Sequence, residues 1–472
     1  MKDSIDFGSM NISTLFRKLL IPTVLGMVFS ALFVITDGIF VGKGIGSDAL
    51  AAVNITAPLF MIAAGIGLMF GVGASVVASI HLSQGKRKVA SINITQAIAF
   101  SALLILILSA LCLYFIEPLA RLLGSSDRLL PLAVEYMAWY IPFLIFYEVL
   151  NIGMFCIRLD GSPTYAMMCN AVAAILNIIL DYIFIFEFGW GIMGAAFATS
   201  LGTVVGGLMT LIYLLRFSRT LHLCRIKLSI KSLLLTLRNI GYMIKLGSSA
   251  FISEASIACM MFLGNYVFIR HLGEDGVAAF SIACYFFPII FMVYNAIAQS
   301  AQPIISYNYG ANNAYRVKKA FRLLLISCLT YSAILWLLAM VVPNMFAAIF
   351  TSDPALTEIT VWALRIYMGG CLLFGAQIAC QQTFIALGNA KTSAFLAMFR
   401  KIIVLIPLIY ILPMFIEDKV MAVFLAEPIA DILAVLTTVT MFVLFFKKLL
   451  RNMDEEHVEE AKQQTQLEEK EA

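Results

Sequence analysis

The chain has 472 residues, of which 61% are hydrophobic and only 13% charged. Soluble domains carry about 25% charged residues, so this composition excludes a water-soluble globule and defines an integral membrane protein. Net charge is +4, and the nine cysteines and four histidines form no CxxC pair or mixed cluster, which argues against a disulfide framework and against His/Cys metal chemistry.

Twelve apolar spans follow in order, at about 14–40, 51–80, 93–116, 131–155, 165–187, 192–216, 241–270, 278–305, 318–342, 357–387, 392–416 and 420–446. Each is long enough to cross a bilayer as a helix, which takes about 20 residues. Lys2, Arg17 and Lys18 precede a first run longer than the apolar core of a leader, so no cleavable signal peptide is expected. An even span count puts both termini on one side. Assigning Lys and Arg to alternate loops places 26 of the 32 with the termini and the even-numbered loops. The positive-inside rule therefore predicts cytoplasmic termini. The segment 217–240 is basic and partly amphipathic, and reads as a cytoplasmic linker. The tail 447–472 is Glu- and Gln-rich, with almost no apolar residues beyond Asp454, and reads as disordered chain or a solvated helix.

The spans form an internal repeat. Gly46-Ser-Asp48-Ala-Leu-Ala51-Ala52 recurs as Gly273-Glu-Asp275-Gly-Val-Ala278-Ala279, 227 residues later. Ser126-Asp127 matches Ser352-Asp353, Gly161 matches Gly388 and Ala195 matches Ala422 at nearly the same offset. Six helices map onto six. The expected fold is all-α, with twelve transmembrane helices in two pseudo-symmetric lobes, 1–216 and 241–446. An even number of helices per half makes the repeats parallel, related by an axis along the membrane normal.

Polar residues inside the spans are candidates for function. Asn177-Ile-Ile-Leu-Asp181 sits in the fifth span, and its i, i+4 spacing puts an amide and a carboxylate on one helix face. The pair reads as a cation or proton site, or else as a polar helix–helix contact. Asp37 is the second acid of the first half, in Thr36-Asp37-Gly-Ile-Phe. Two nearby carboxylates suit the exchange of H⁺ or Na⁺, and the alternative for Asp37 is a helix-end cap. Glu254 is the lone acid of the seventh span. Glu427 and Asp431 flank Pro428 in the twelfth and are expected to be structural. Glu148, in the fourth span, is a possible cavity-lining acid. Gly65-x-Gly67-x-x-x-Gly71-x-Gly73 lacks a preceding strand, so helix packing is a better reading than a nucleotide loop.

Together these pieces resemble the multidrug and toxic-compound extrusion (MATE) family, in particular its bacterial multidrug exporters. The carriers are Thr36-Asp37-Gly-Ile-Phe-Val-Gly42, Leu50-Ala-Ala-Val, Asn177-x-x-x-Asp181 and Gln302-Pro-Ile-Ile-Ser-Tyr-Asn308-Tyr-Gly310-Ala311. The resemblance implies cation-coupled alternating access between two six-helix lobes. It places Asp37, Asn177, Asp181 and Thr199 in an N-lobe site for Na⁺ or H⁺. It also brings Tyr136 near that site, with Tyr140 as the competing alignment, and assigns Glu254 to the cavity or to coupling. Where one branch has a tenth-helix aspartate this chain reads Phe374-Gly-Ala376-Gln377, which places coupling in the N-lobe.

The expected function is export of amphipathic, often cationic organic compounds by antiport with Na⁺ or H⁺. The alternative is a flippase of lipid-linked oligosaccharide from the same superfamily. The intramembrane charges read as almost wholly acidic, which favours cationic cargo. No clustered nucleophile or metal site points to an enzyme. No cofactor beyond the coupling ion, no nucleic-acid partner and no second subunit is expected. Membrane lipid and a small organic substrate are the partners, and the inner (plasma) membrane is the location.

Overall fold

The computed structural model describes residues 5–226, 229–271, 273–344, 361–362, 364–366 and 368–471, with side chains described outside 258–289, 419–420 and 456–471. The protein is all-helical, and no strand occurs among the described residues. The long helices are α1 (Ile12–Gly44), α2 (Ser47–Ser83), α3 (Arg87–Tyr114), α4 (Leu130–Leu159), α5 (Pro163–Glu187), α6 (Gly191–Phe217), α7 (Ile230–His271), α8 (Gly273–Gly310), α9 (Ala314–Val341), α10 (Cys371–Ala386), α11 (Ala390–Phe415) and α12 (Lys419–Glu471), with a short helix, Ile116–Leu122, between α3 and α4. Eleven of the apolar spans fall on one of them each, and the tenth is described only in part, with α10 covering its second half. Nine helices among the described residues are long and apolar enough to cross a membrane. The first residues of the tenth span, 357–360, and the Ser352-Asp353 repeat match lie outside the described residues. The tail continues as helix to Glu471.

The chain divides into two compact units. Unit 1 holds residues 18–81 and 86–258, with 1–6; unit 2 holds 259–472, with 7–17 and 82–85. The boundary falls inside α7, past the 217–240 segment that the sequence marks as the linker. The linker is itself well tied down. Asp160, just past α4, accepts hydrogen bonds from the Tyr213 hydroxyl at 2.8 Å and from the backbone N–H groups of Arg219, Thr220 and Leu221 at 2.7, 2.8 and 3.0 Å. The Thr220 hydroxyl adds a fifth at 2.8 Å.

In unit 1 the glycines of α2 let three helices close up. A Cβ on Gly67 would lie 3.1 Å from the Glu148 carboxylate on α4, and one on Gly73 would lie 2.2 Å from the Met243 carbonyl on α7. The reciprocal contact is Gly247 of α7, whose Cβ would meet the Met69 carbonyl at 1.9 Å. The glycine series is thus a packing device that fits α2 between α4 and α7, as its sequence context predicts.

In unit 2, Ser332 of α9 joins three helices. Its hydroxyl accepts from the Gly375 backbone N–H at 3.0 Å and pairs with the Tyr294 hydroxyl at 2.6 Å. Asn308 of the Gln302–Ala311 motif accepts from Arg316 Nε at 2.6 Å. Arg316 in turn donates to the carbonyls of Phe7 and Met10 at 2.7 and 2.9 Å. The motif therefore aims an arginine that holds the N-terminal segment onto unit 2.

One sequence expectation is corrected here. Arg400 and Lys401, assigned to a cytoplasmic loop, lie inside α11. Arg400 is buried, and donates to Asp431 at 2.6 Å and to Glu427 at 3.1 Å; Lys401 donates to Glu427 at 2.8 Å. The guanidinium also sits 4.2 Å from the Phe374 ring centroid. Intramembrane charge is therefore not almost wholly acidic: Arg158 is buried in unit 1, and Arg400 and Lys401 of α11 pair with Glu427 and Asp431 of α12. This accounts for Glu427 and Asp431 as structural residues.

Candidate functional site

Unit 1 gathers Asp37, Tyr136, Asn177, Asp181 and Thr199. Asn177 and Asp181 are both fully buried on one face of α5. Regular α-helix ends at Asp181, and a π-helical turn, Tyr182–Glu187, follows. Such turns often occur at functional positions. The i, i+4 face reaches α6 because α6 lacks a side chain at Gly202. A Cβ there would lie 2.7 Å from the Ala173 carbonyl and 3.2 Å from Asn177 Cβ. One turn earlier on α6 stands Thr199, whose hydroxyl oxygen accepts from the Asn177 amide nitrogen at 3.3 Å.

That hydrogen bond orients the Asn177 amide and leaves its carbonyl oxygen free. Asp37 on α1 is buried and faces both Asp181 and Thr199. Tyr136 on α4 faces Asp37, Asp181 and Thr199. Asp37 Oδ1, Asn177 Oδ1 and both Asp181 oxygens are buried without a hydrogen-bond partner among the described residues. Each is an acceptor. A buried carboxylate left bare is costly, so the cluster suits a species that brings positive charge, either a proton or a hard cation taking oxygen ligands.

Tyr140 also lines this part of α4, its ring stacked 6.0 Å from that of Tyr136. Of the two tyrosines that the sequence leaves in competition, Tyr136 is the one facing the carboxylates. Glu254, on α7, is not part of this cluster. It lies beside Gly65 and interacts with Tyr147. Glu148, the residue after Tyr147, is fully buried and points at Gly67. The sequence signal for Glu148 was an acid in an apolar span, with nothing to show which way it faces.

An all-helical, multi-pass membrane protein with an internal repeat and a carboxylate site buried between its helices has the architecture of a secondary transporter. The MatE family model matches residues 22–183 and again 249–411. The two matches start 227 residues apart, the offset of the internal repeat. The chain belongs to the MatE family of transporters, whose members are not enzymes.

Among curated proteins it is similar to a FAD transporter of Shewanella oneidensis, at 27% identity over 92% of this chain and 95% of that one. It is also similar to the multidrug export protein MepA of Staphylococcus aureus, at 26% identity over 83% and 85% of the two chains. Among solved structures it shares its fold with MATE in the bent conformation, with a TM-score of 0.85 and 23% identity over 94% of this chain and 98% of the other. A superfamily transporter from Pyrococcus furiosus, described as having reverse polarity of its binding pocket, superposes with a TM-score of 0.83 at 24% identity over 93% and 97%.

Proposed function

We propose that this transporter exports amphipathic, often cationic organic compounds in exchange for Na⁺ or H⁺. Coupling takes place at Asp37, Asn177, Asp181 and Thr199. The observation that carries this reading is the set of buried, unpartnered oxygens on Asp37, Asn177 and Asp181. Thr199 fixes Asn177, and Tyr136 covers the two carboxylates. A cation bound there offsets the burial of two negative charges. A ligand that binds one arrangement of the helices better than another shifts the balance between them, and this is how ion binding drives alternating access.

Charge supports cationic cargo. Asp37, Asp181 and Glu148 of unit 1 have no ion-pair partner among the described residues, whereas the buried Arg400 and Lys401 of unit 2 are matched by Glu427 and Asp431. The relatives are named for FAD transport and for multidrug export, and the acidic balance favours the second kind of cargo. It also counts against a flippase for anionic lipid-linked sugars. The transporter works as a single chain in the plasma membrane, inner in a two-membrane cell, with both termini cytoplasmic.

The test is ethidium movement in proteoliposomes holding the purified protein, with Na⁺ or H⁺ gradients imposed separately. Uphill movement under one gradient, and its loss when that gradient is collapsed, is the expected result. Ethidium that moves under neither gradient, or movement of a lipid-linked oligosaccharide instead, overturns the proposal.

A further inference from the structure

The buried carboxylates of this chain fall into two groups. Asp160, Glu427 and Asp431 are fully engaged: Asp160 by five donors, Glu427 and Asp431 by Arg400 and Lys401. These are structural acids, and each has groups that compensate its charge. Asp37 and Asp181 have no ion-pair partner among the described residues and form the candidate coupling site. Glu148 belongs with the second group but lies elsewhere. It is 0% exposed, and neither carboxylate oxygen has a hydrogen-bond partner among the described residues. No Lys, Arg or His makes an ion pair with it among them.

Its surroundings are specific. Glu148 Oε2 points at α2 where Gly67 leaves room, since a Cβ there would lie 3.1 Å away. The adjacent Asn151 donates one amide N–H to the Tyr147 carbonyl at 2.9 Å. The ionisable groups nearby are Tyr147, the preceding residue of α4, and Glu254 on α7, which lies beside Gly65 and interacts with Tyr147 in turn. Neither supplies a positive charge. A hard cation takes about six oxygens, and a glycine flank cannot supply them; a proton needs only the carboxyl itself.

The position relative to the Asp37–Asp181 cluster is equally specific. Tyr136, Tyr140 and Tyr147 follow on α4 at i, i+4 and i+11, around the Pro142 turn. Tyr136 faces Asp37 and Asp181, and Tyr147 immediately precedes Glu148, whose carboxylate points at Gly67 instead. Phe60 of α2 fills the space between, with its ring 5.7 Å from Tyr140 and 4.6 Å from Tyr147. Eleven residues of helix separate the two tyrosines by about 16 Å. A second bare carboxyl therefore stands along the same helix, well removed in depth from the first site.

We infer that Glu148 takes up and releases a proton during transport, as a second ionisable centre of unit 1 on the helix that also carries Tyr136 of the Asp37–Asp181 site. The step is a proton transfer alone: a proton from water bonds to a Glu148 carboxylate oxygen, and the same O–H bond breaks when it returns to water. The inference rests on the reading of the chain as an ion-coupled transporter, but its test does not depend on transport.

The experiment is infrared difference spectroscopy between acid and alkaline pH on the full-length protein reconstituted in lipid. The protonated-carboxyl C=O region should contain a band that Glu148→Gln removes, Glu148→Asp shifts and Asp37→Asn leaves in place. A Glu148→Gln spectrum that superimposes on the wild type in that region overturns the inference. So does a band that follows Na⁺ concentration at fixed pH instead of following pH. Failure of ethidium to move under either gradient refutes the coupled-export reading and leaves this band unaffected, so the two failures are distinguishable.

Discussion

Removing Arg400 should be among the most destabilising single changes in unit 2. The side chain is about 7% exposed and makes two ion-pair contacts, to Asp431 at 2.6 Å and Glu427 at 3.1 Å. It also lies 4.2 Å from the Phe374 ring. Arg400→Met keeps much of the volume and the apolar stem but leaves Asp431 with no cation at hydrogen-bond distance among the described residues. Glu427 keeps Lys401. Breaking one side of a buried pair costs roughly 3–5 kcal/mol, because the remaining charge is stranded. For a unit of about 200 residues this corresponds to a melting temperature lower by on the order of 10 °C. Replacing both partners with apolar residues is often nearly neutral, so Arg400→Met combined with Asp431→Leu should recover most of the loss. The assay is thermal unfolding of the purified protein in detergent, read by intrinsic fluorescence for the two single variants and the double variant. A single Arg400→Met variant that melts with the wild type, or a double variant whose losses simply add, would refute the buried-network account of these four residues.

Three further outcomes follow from the packing and the charge pattern. Gly247→Ala should lower the melting temperature in the same assay, because its Cβ would sit 1.9 Å from the Met69 carbonyl, and overpacking of this kind costs about 1–3 kcal/mol or more. Gly241→Ala on the same helix, where nothing lies within 4 Å, should leave it unchanged. Asp160→Ala removes the acceptor for five hydrogen bonds to the 213–221 segment, and should destabilise unit 1 by roughly 2–4 kcal/mol; limited proteolysis should then cut within 217–229, and an uncut segment in the variant contradicts this role. A reporter fused after residue 472 should report from the cytoplasm, and a periplasmic or extracellular signal overturns the topology.

The helices and the repeat were legible in the sequence because bilayer hydrocarbon tolerates only long apolar helices here, and the repeat left its offset in Gly46–Ala52 and Gly273–Ala279. The Asn177–Asp181 face was legible for the same reason: two polar groups one turn apart stand out in an apolar run. The charge network of α11 and α12 was not. Arg400 and Lys401 look like the basic residues that mark a cytoplasmic helix end, and only the fold shows that Glu427 and Asp431 reach them across 26 to 31 residues of sequence. Asp160 and Glu148 show the complementary limit. Both are acids close to or within an apolar span, and burial alone does not separate them. The donors that arrive from residues 213–221 make one structural, and the lack of any such donor leaves the other free to carry a proton.

The coupling site itself is tested most directly by removing its charge while keeping its shape. Gradient-driven ethidium transport should be measured in proteoliposomes holding equal amounts of wild type, Asp37→Asn or Asp181→Asn, after thermal unfolding has shown each variant to be folded. The predicted result is normal folding and insertion with gradient-driven transport abolished in both variants, since the amide keeps the size and most of the hydrogen bonding of the carboxylate but cannot exchange a cation. Full transport in both single variants would contradict the claim that these two carboxylates couple ion movement to export.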